Sequence, residues 1–173
     1  MKISITGHTQ GIGKACWDQL GAHSLQGFSR SNGFELPAQN HSVARASRGC
    51  DAIIINAAPH GQLELFKLMY AQWQHQQGKH IIVIGSRASY MDPRLNDYYR
   101  IKNQLREHII NCQMTTNRAC KITQIHPGFV DCGVVKDRTD VVKADPQEVA
   151  EAVKWCLSRP YEVGELSMWY LDK

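Results

Sequence analysis

The stretch "KISITGHTQGIGKACWDQL" (residues 2–20) sets an apolar run, a loop holding three glycines and an amphipathic run in direct succession. "KISIT" (2–6) reads as a β-strand and "GKACWDQLG" (13–21) as a helix, with Gly7 at the strand end and Gly11 and Gly13 where the helix opens. Glycines at such a junction let the backbone turn sharply and approach a ligand without a Cβ in the way. The free amides and dipole of the helix start then meet negative charge. Glycines between a strand and a helix also serve close packing, so the rest of the chain has to decide between the two uses.

Working outward, short apolar runs alternate with helical patterns. "LQGFS" (25–29) is a second strand, "GFEL" (33–36) a weak third, and "SVARASRG" (42–49) a short helix. "DAIIINAA" (51–58) and "KHIIVIGS" (79–86) are continuous apolar strands, the kind buried on both faces of a parallel sheet. Between them "LELFKLMYAQWQHQQ" (63–77) places apolar residues at helical spacing. A long helix is predicted over 95–113, a strand at "KITQIHP" (121–127), a Pro-initiated helix at "PQEVAEAVKWCLS" (146–158) and a last strand at "ELSMWYL" (165–171). This alternation predicts an α/β sheet with right-handed crossovers in one domain spanning 1–173.

Composition narrows the function classes. Twenty Lys and Arg face 16 Asp and Glu, and a net charge of +4 without a like-charge block argues against nucleic-acid binding. The six cysteines show no CxxC or Cys/His ligand spacing and read as reduced core thiols, with no metal site. No run approaches the roughly 18 apolar residues of a membrane span, and the first strand starts too early for a signal peptide. A soluble cytoplasmic protein without membrane partners is the expectation.

The order Thr6-Gly7-His8-Thr9-Gln10-Gly11-Ile12-Gly13 resembles the cofactor loop TGxxxGIG of the short-chain dehydrogenase/reductase family. Other segments follow in that family's order: "NAA" (56–58) where the family has NNAG, Ser86 after a buried strand, Tyr98 and Lys102 as YxxxK, and "PGFVDC" (127–132) for PGxVxT. The resemblance spans nearly the whole chain, although the chain is short for the family. It implies a Rossmann-type doubly wound, mostly parallel sheet in a three-layer α/β/α sandwich. It implies a cofactor site of Gly7, Thr9, Gln10, Gly11, Ile12, Gly13, Ser29, Arg30, Asn56, Ala57, Ala58, Tyr98, Lys102, Pro127, Gly128 and Val130. Ser29-Arg30 after the second strand, with no acid there, implies NADP(H) over NAD(H), because a guanidinium grips a 2′-phosphate.

The implied reaction moves a hydride between nicotinamide and a carbonyl or alcohol carbon of a small-molecule substrate. Tyr98 is the acid/base, Lys102 favours its anion, and Ser86 positions the substrate oxygen. Tyr98 and Lys102 stand one helical turn apart and share a face; Tyr99 has Asn103 at that spacing instead. Departures from the family pattern are legible too. Pro59 replaces a glycine and Cys132 a threonine, and no Asn occupies 59–62, where many family members place one, so the family's proton relay is absent or served by His60 or Gln62. His126 reads as a strand-end residue and His8 as a variable one. Only 133–144 are left for a substrate lid. A dinucleotide-binding sensor with little turnover is the alternative. A homodimer or homotetramer through 63–77 and 95–113 is implied, with Leu65, Met69, Ile109 and Ile110 as candidate contacts.

Overall fold

The computed structural model describes residues 1–57 and 59–170. Among these, β1 (Lys2–Thr6), β2 (Ser24–Phe28), β3 (Ala52–Ile55), β4 (His80–Ile84), β5 (Lys121–Pro127) and β6 (Glu165–Met168) form one sheet in the order β2-β1-β3-β4-β5-β6. Every pairing in it is parallel. Five helices cover its two faces: α1 (Gly11–Gln19), α2 (Asn40–Ala46), α3 (Pro59–Trp73), α4 (Asp97–Gln113) and α5 (Pro146–Leu157). The result is the Rossmann-type α/β/α sandwich expected from the sequence, as a single domain.

The apolar runs of β3 and β4 are continuous because each face of the strand feeds a different core. Ile53, Ile55, Ile81 and Val83 pack with α2, α3 and α4. Ala52, Ile54, Ile82 and Ile84 pack with α1 and α5. Helix starts carry ordinary signals: Pro59 opens α3, Asn96 caps α4 by accepting from the Tyr99 amide, and Asp145 and Glu148 form a reciprocal capping box at α5. The α1 start differs. Its N-cap, Gln10, makes no side-chain cap and its first turn holds no acid.

The structure corrects two readings. "GFEL" is not a strand: the Phe34 amide donates to Ser29 O, the backbone turns through Gly33 at φ +86°, and Phe34 stacks edge-on against Phe28. Pro37, which lacks a ladder donor, then seats on Gly61. The segment closes onto α3, and β2 stays at the sheet margin. Leu65, Met69 and Ile109, expected as candidate contacts between subunits, lie fully inside the core, leaving only Ile110 partly exposed. The five cysteines other than Cys132 are buried, and all six are unbridged. No helix among the described residues is long and apolar enough to cross a membrane.

Candidate functional site

The chain runs from β1 outward to β2 and then crosses back to β3, so a crevice opens at the carboxyl ends of β1 and β3, where α/β sheets bind ligands. A cleft of about 1190 Å³ lies there. Gly7, Thr9, Gln10, Gly11, Ile12, Ser29, Arg30, Asn56 and Ala57, all expected in a cofactor site, line it. Phe34, Glu35, Leu36, Cys132 and Lys136 are among the other residues that line it. Ala58 falls outside the described residues.

The glycines divide their labour. Gly7 and Gly11 take positive φ, +72° and +51°, which makes the turn. A Cβ on Gly11 would come within 3.1 Å of Cys132 Sγ, so its absence keeps the floor of the cradle open. Gly13 is buried below the cleft, where a Cβ would stand 2.1 Å from Gly7 O; it is the packing glycine. Thr6 ties the cradle to β3, its Oγ1 accepting from the amides of Asn56 (2.8 Å) and Ala57 (3.1 Å). His8 is a packing residue: its ring tilts on Trp17 and fills the space over Gly27 that a Cβ would occupy. The open cradle, an α1 start whose N-cap side chain makes no cap, and the cleft volume fit a dinucleotide diphosphate. At the far end Ser29 is held by Asn32 and Ser31, while Arg30 is exposed and makes no ion pair among the described residues.

The predicted chemical groups stand at the carboxyl ends of β4 and β5. Ser86 Oγ accepts from the Ala88 amide and caps a 3₁₀ turn, Arg87–Tyr90, which leaves its hydroxyl hydrogen free to donate. That turn packs on α4, which carries Tyr98 and Lys102 on one face, the ammonium 5.7 Å from the phenol ring centroid. Tyr98 is 44% exposed and Lys102 only 4%. Burial lowers the Lys102 pKa to about 8. Pro127 ends β5, Gly128 donates its amide to Met168 O, and Val130 bridges to Ala144. These three, like Gly13, Ser86, Tyr98 and Lys102, are not among the cleft walls.

Sequence reasoning left Gln62 open and missed a second feature. Gln62, 1% exposed, meets Lys102 Nζ at 2.6 Å, whereas His60 is exposed. The signal was present, since Gln62 is a polar residue on the helical stripe of Leu65, Phe66, Met69 and Trp73. The missed feature is a cluster behind Ser86. His126, buried against Gly85, has Nδ1 3.3 Å from Ser86 O and Nε2 3.1 Å from Glu165 Oε1, and Glu165 also takes Arg106 and Tyr90. Burial holds the His126 pKa below the usual imidazole range. The cluster joins the Ser86 turn, α4, β5 and β6.

No protein-family model matches the sequence, and neither does any curated protein. Solved structures do share the fold. A 3-alpha-hydroxysteroid dehydrogenase from Pseudomonas sp. B-0831, complexed with NADH, aligns at 16% identity over 96% of this chain and 94% of that one, with a TM-score of 0.68. Serine dehydrogenase from Escherichia coli aligns at 18% identity over 97% of each chain, with a TM-score of 0.67. A short chain dehydrogenase from Burkholderia cenocepacia J2315, in complex with NADP, aligns at 14% identity over 98% and 88%, with a TM-score of 0.76. At these identities the likeness is one of fold, the Rossmann type that these dehydrogenases share.

Proposed function

We propose that the chain is an NADP(H)-dependent oxidoreductase of the short-chain dehydrogenase/reductase type, acting on a carbonyl or alcohol carbon. The observation that carries this reading is the Tyr98–Lys102 pair on one face of α4, beside the turn that Ser86 caps at the end of β4, on the carboxyl edge of the same parallel sheet whose β1 end carries the glycine cradle. A nicotinamide dinucleotide bound in the cleft supplies the hydride. Gly7, Gly11 and the α1 amides hold its diphosphate, and Arg30 reaches its 2′-phosphate. Ser86 donates to the substrate carbonyl oxygen and Tyr98 Oη gives that oxygen its proton. The ammonium of Lys102 supports the phenolate that remains. In the alcohol direction Tyr98 takes the proton back.

Support also comes from the fold neighbours, several of which are dehydrogenases complexed with NADH or NADP. The test is consumption of NADPH with a panel of aldehydes, ketones and quinones. Tyr98→Phe is expected to lower kcat by about 100-fold or more, and equal activity in that variant sinks the reading. Arg30→Ala is expected to weaken NADPH binding about tenfold, roughly 1.4 kcal/mol, and leave NADH unchanged. The sensor reading draws on the short lid, residues 133–144. Tight NADPH binding without turnover of any panel member would favour it.

A further inference from the structure

We propose that Gln62 is a positioning residue that holds the Lys102 ammonium beside Tyr98 while leaving its charge uncancelled. The orientation of the Gln62 amide follows from its neighbours. Nε2 lies against three backbone carbonyls, Ile55 O at 3.4 Å, Asn56 O at 3.0 Å and Ile84 O at 3.1 Å. A flipped amide would set its oxygen against those acceptors and its NH2 against an ammonium, so Oε1 faces Lys102 Nζ at 2.6 Å. The three carbonyls belong to the ends of β3 and β4. Gln62 therefore joins both strand ends to α3 and, through Lys102, to α4.

The surroundings of Lys102 show why this matters. It has no carboxylate at ion-pair distance among the described residues. The groups that face it are Tyr98 from its own helix, Ile84 O at 3.5 Å from β4, His126 from β5, which feels the Lys102 charge, and Gln62 from α3. A buried ammonium without an acceptor sheds its proton. Gln62 supplies the short acceptor. A carboxylate in its place would keep Lys102 protonated and yet neutralise the field at Tyr98, whereas an amide supports the charge and carries none. An amide of this kind also does not titrate, so it relays no proton.

The consequence for Tyr98 rests on the oxidoreductase reading; the Gln62–Lys102 relation does not. Titration of the lysine Cε resonances in 13C-lysine-labelled protein, with Lys102→Arg for assignment, reads it directly without substrate. The wild-type midpoint is expected at about 8. Gln62→Leu is expected to lower it by about one unit or more and isosteric Gln62→Glu to raise it. An unmoved midpoint in folded Gln62→Glu overturns the proposal, and this holds even if Gln62→Leu fails to fold. In turnover, Gln62→Glu is expected to lower kcat about tenfold with Lys102 more fully protonated; unchanged kcat overturns the claim that the charge must stay uncancelled. A shifted midpoint together with full activity of Tyr98→Phe sinks the oxidoreductase reading alone.

Discussion

Gly13 shows how one missing Cβ fixes a junction. Its backbone lies on Gly7 O and beside Asn56 Nδ2, at 2.1 Å and 2.9 Å from where a Cβ would stand, so the first turn of α1 rests directly on the ends of β1 and β3. Gly13→Ala is expected to destabilise the protein by about 2–3 kcal/mol, read from urea unfolding. It should also weaken dinucleotide binding, because the amides of the first turn are displaced. The glycine loop was legible in the sequence because its constraints are local: strand, turn and helix lie within a dozen residues. His8 was not, since its reason to exist is Gly27, which meets it only through the β1–β2 register that pairs Ile5 with Gly27. Gln62 stood between these cases. A glutamine on an apolar stripe announced a buried partner, but Lys102 lies 40 residues further along the chain.

Among the elements, the segment after β5 is short and tied at its base. Asp131 N donates to Ala144 O and Ala144 N to Phe129 O, and Lys143 Nζ reaches both Asp131 Oδ1 at 2.8 Å and Lys136 O at 2.6 Å. Lys143 is thus the cross-brace of this segment, which puts Lys136 and Cys132 on the cleft wall. Lys143→Ala is expected to raise amide hydrogen exchange over residues 131–138 about tenfold. Global stability should change by less than about 1 kcal/mol, because the Asp131 side of the pair is half exposed. Element types were readable wherever an apolar period met a cap, as at Pro146 and Asn96. Boundaries moved where tertiary contacts intervened: α3 begins at Pro59 rather than at 63 and ends at Trp73. The expected third strand failed for the same kind of reason, since Ser29 and Phe28 captured Phe34 before it could join a ladder.

At the scale of the whole molecule, two buried histidines give the fold an acid limit. His80 is 4% exposed and bonded to Thr123 Oγ1 at 2.8 Å, and burial, with Lys121 nearby, lowers its pKa to about 4. In the unfolded chain it takes up a proton near 6.5, in the folded one only near 4, so stability is level above 6.5 and falls as the pH drops from 6.5 to 4. That fall amounts to about 3 kcal/mol at most from this residue, and His126 adds to it in the same direction. His80→Gln should show a shallower loss of stability between pH 7 and pH 4, measured by urea midpoints across that range. The sheet has a kinetic consequence as well. It contains no hairpin, so each ladder waits for a crossover, and folding belongs to the slower range set by non-local pairing. The most remote strand pairing joins Ile3 to Ala52, and the glycine cradle with the Thr6–Asn56 bond sits on that seam. A molecule gripped by the cradle stabilises only the closed seam. It therefore acts as a clasp on the pairing that the chain travels furthest to make, and amino-terminal unzipping of β1 and α1 slows whenever the cleft is filled.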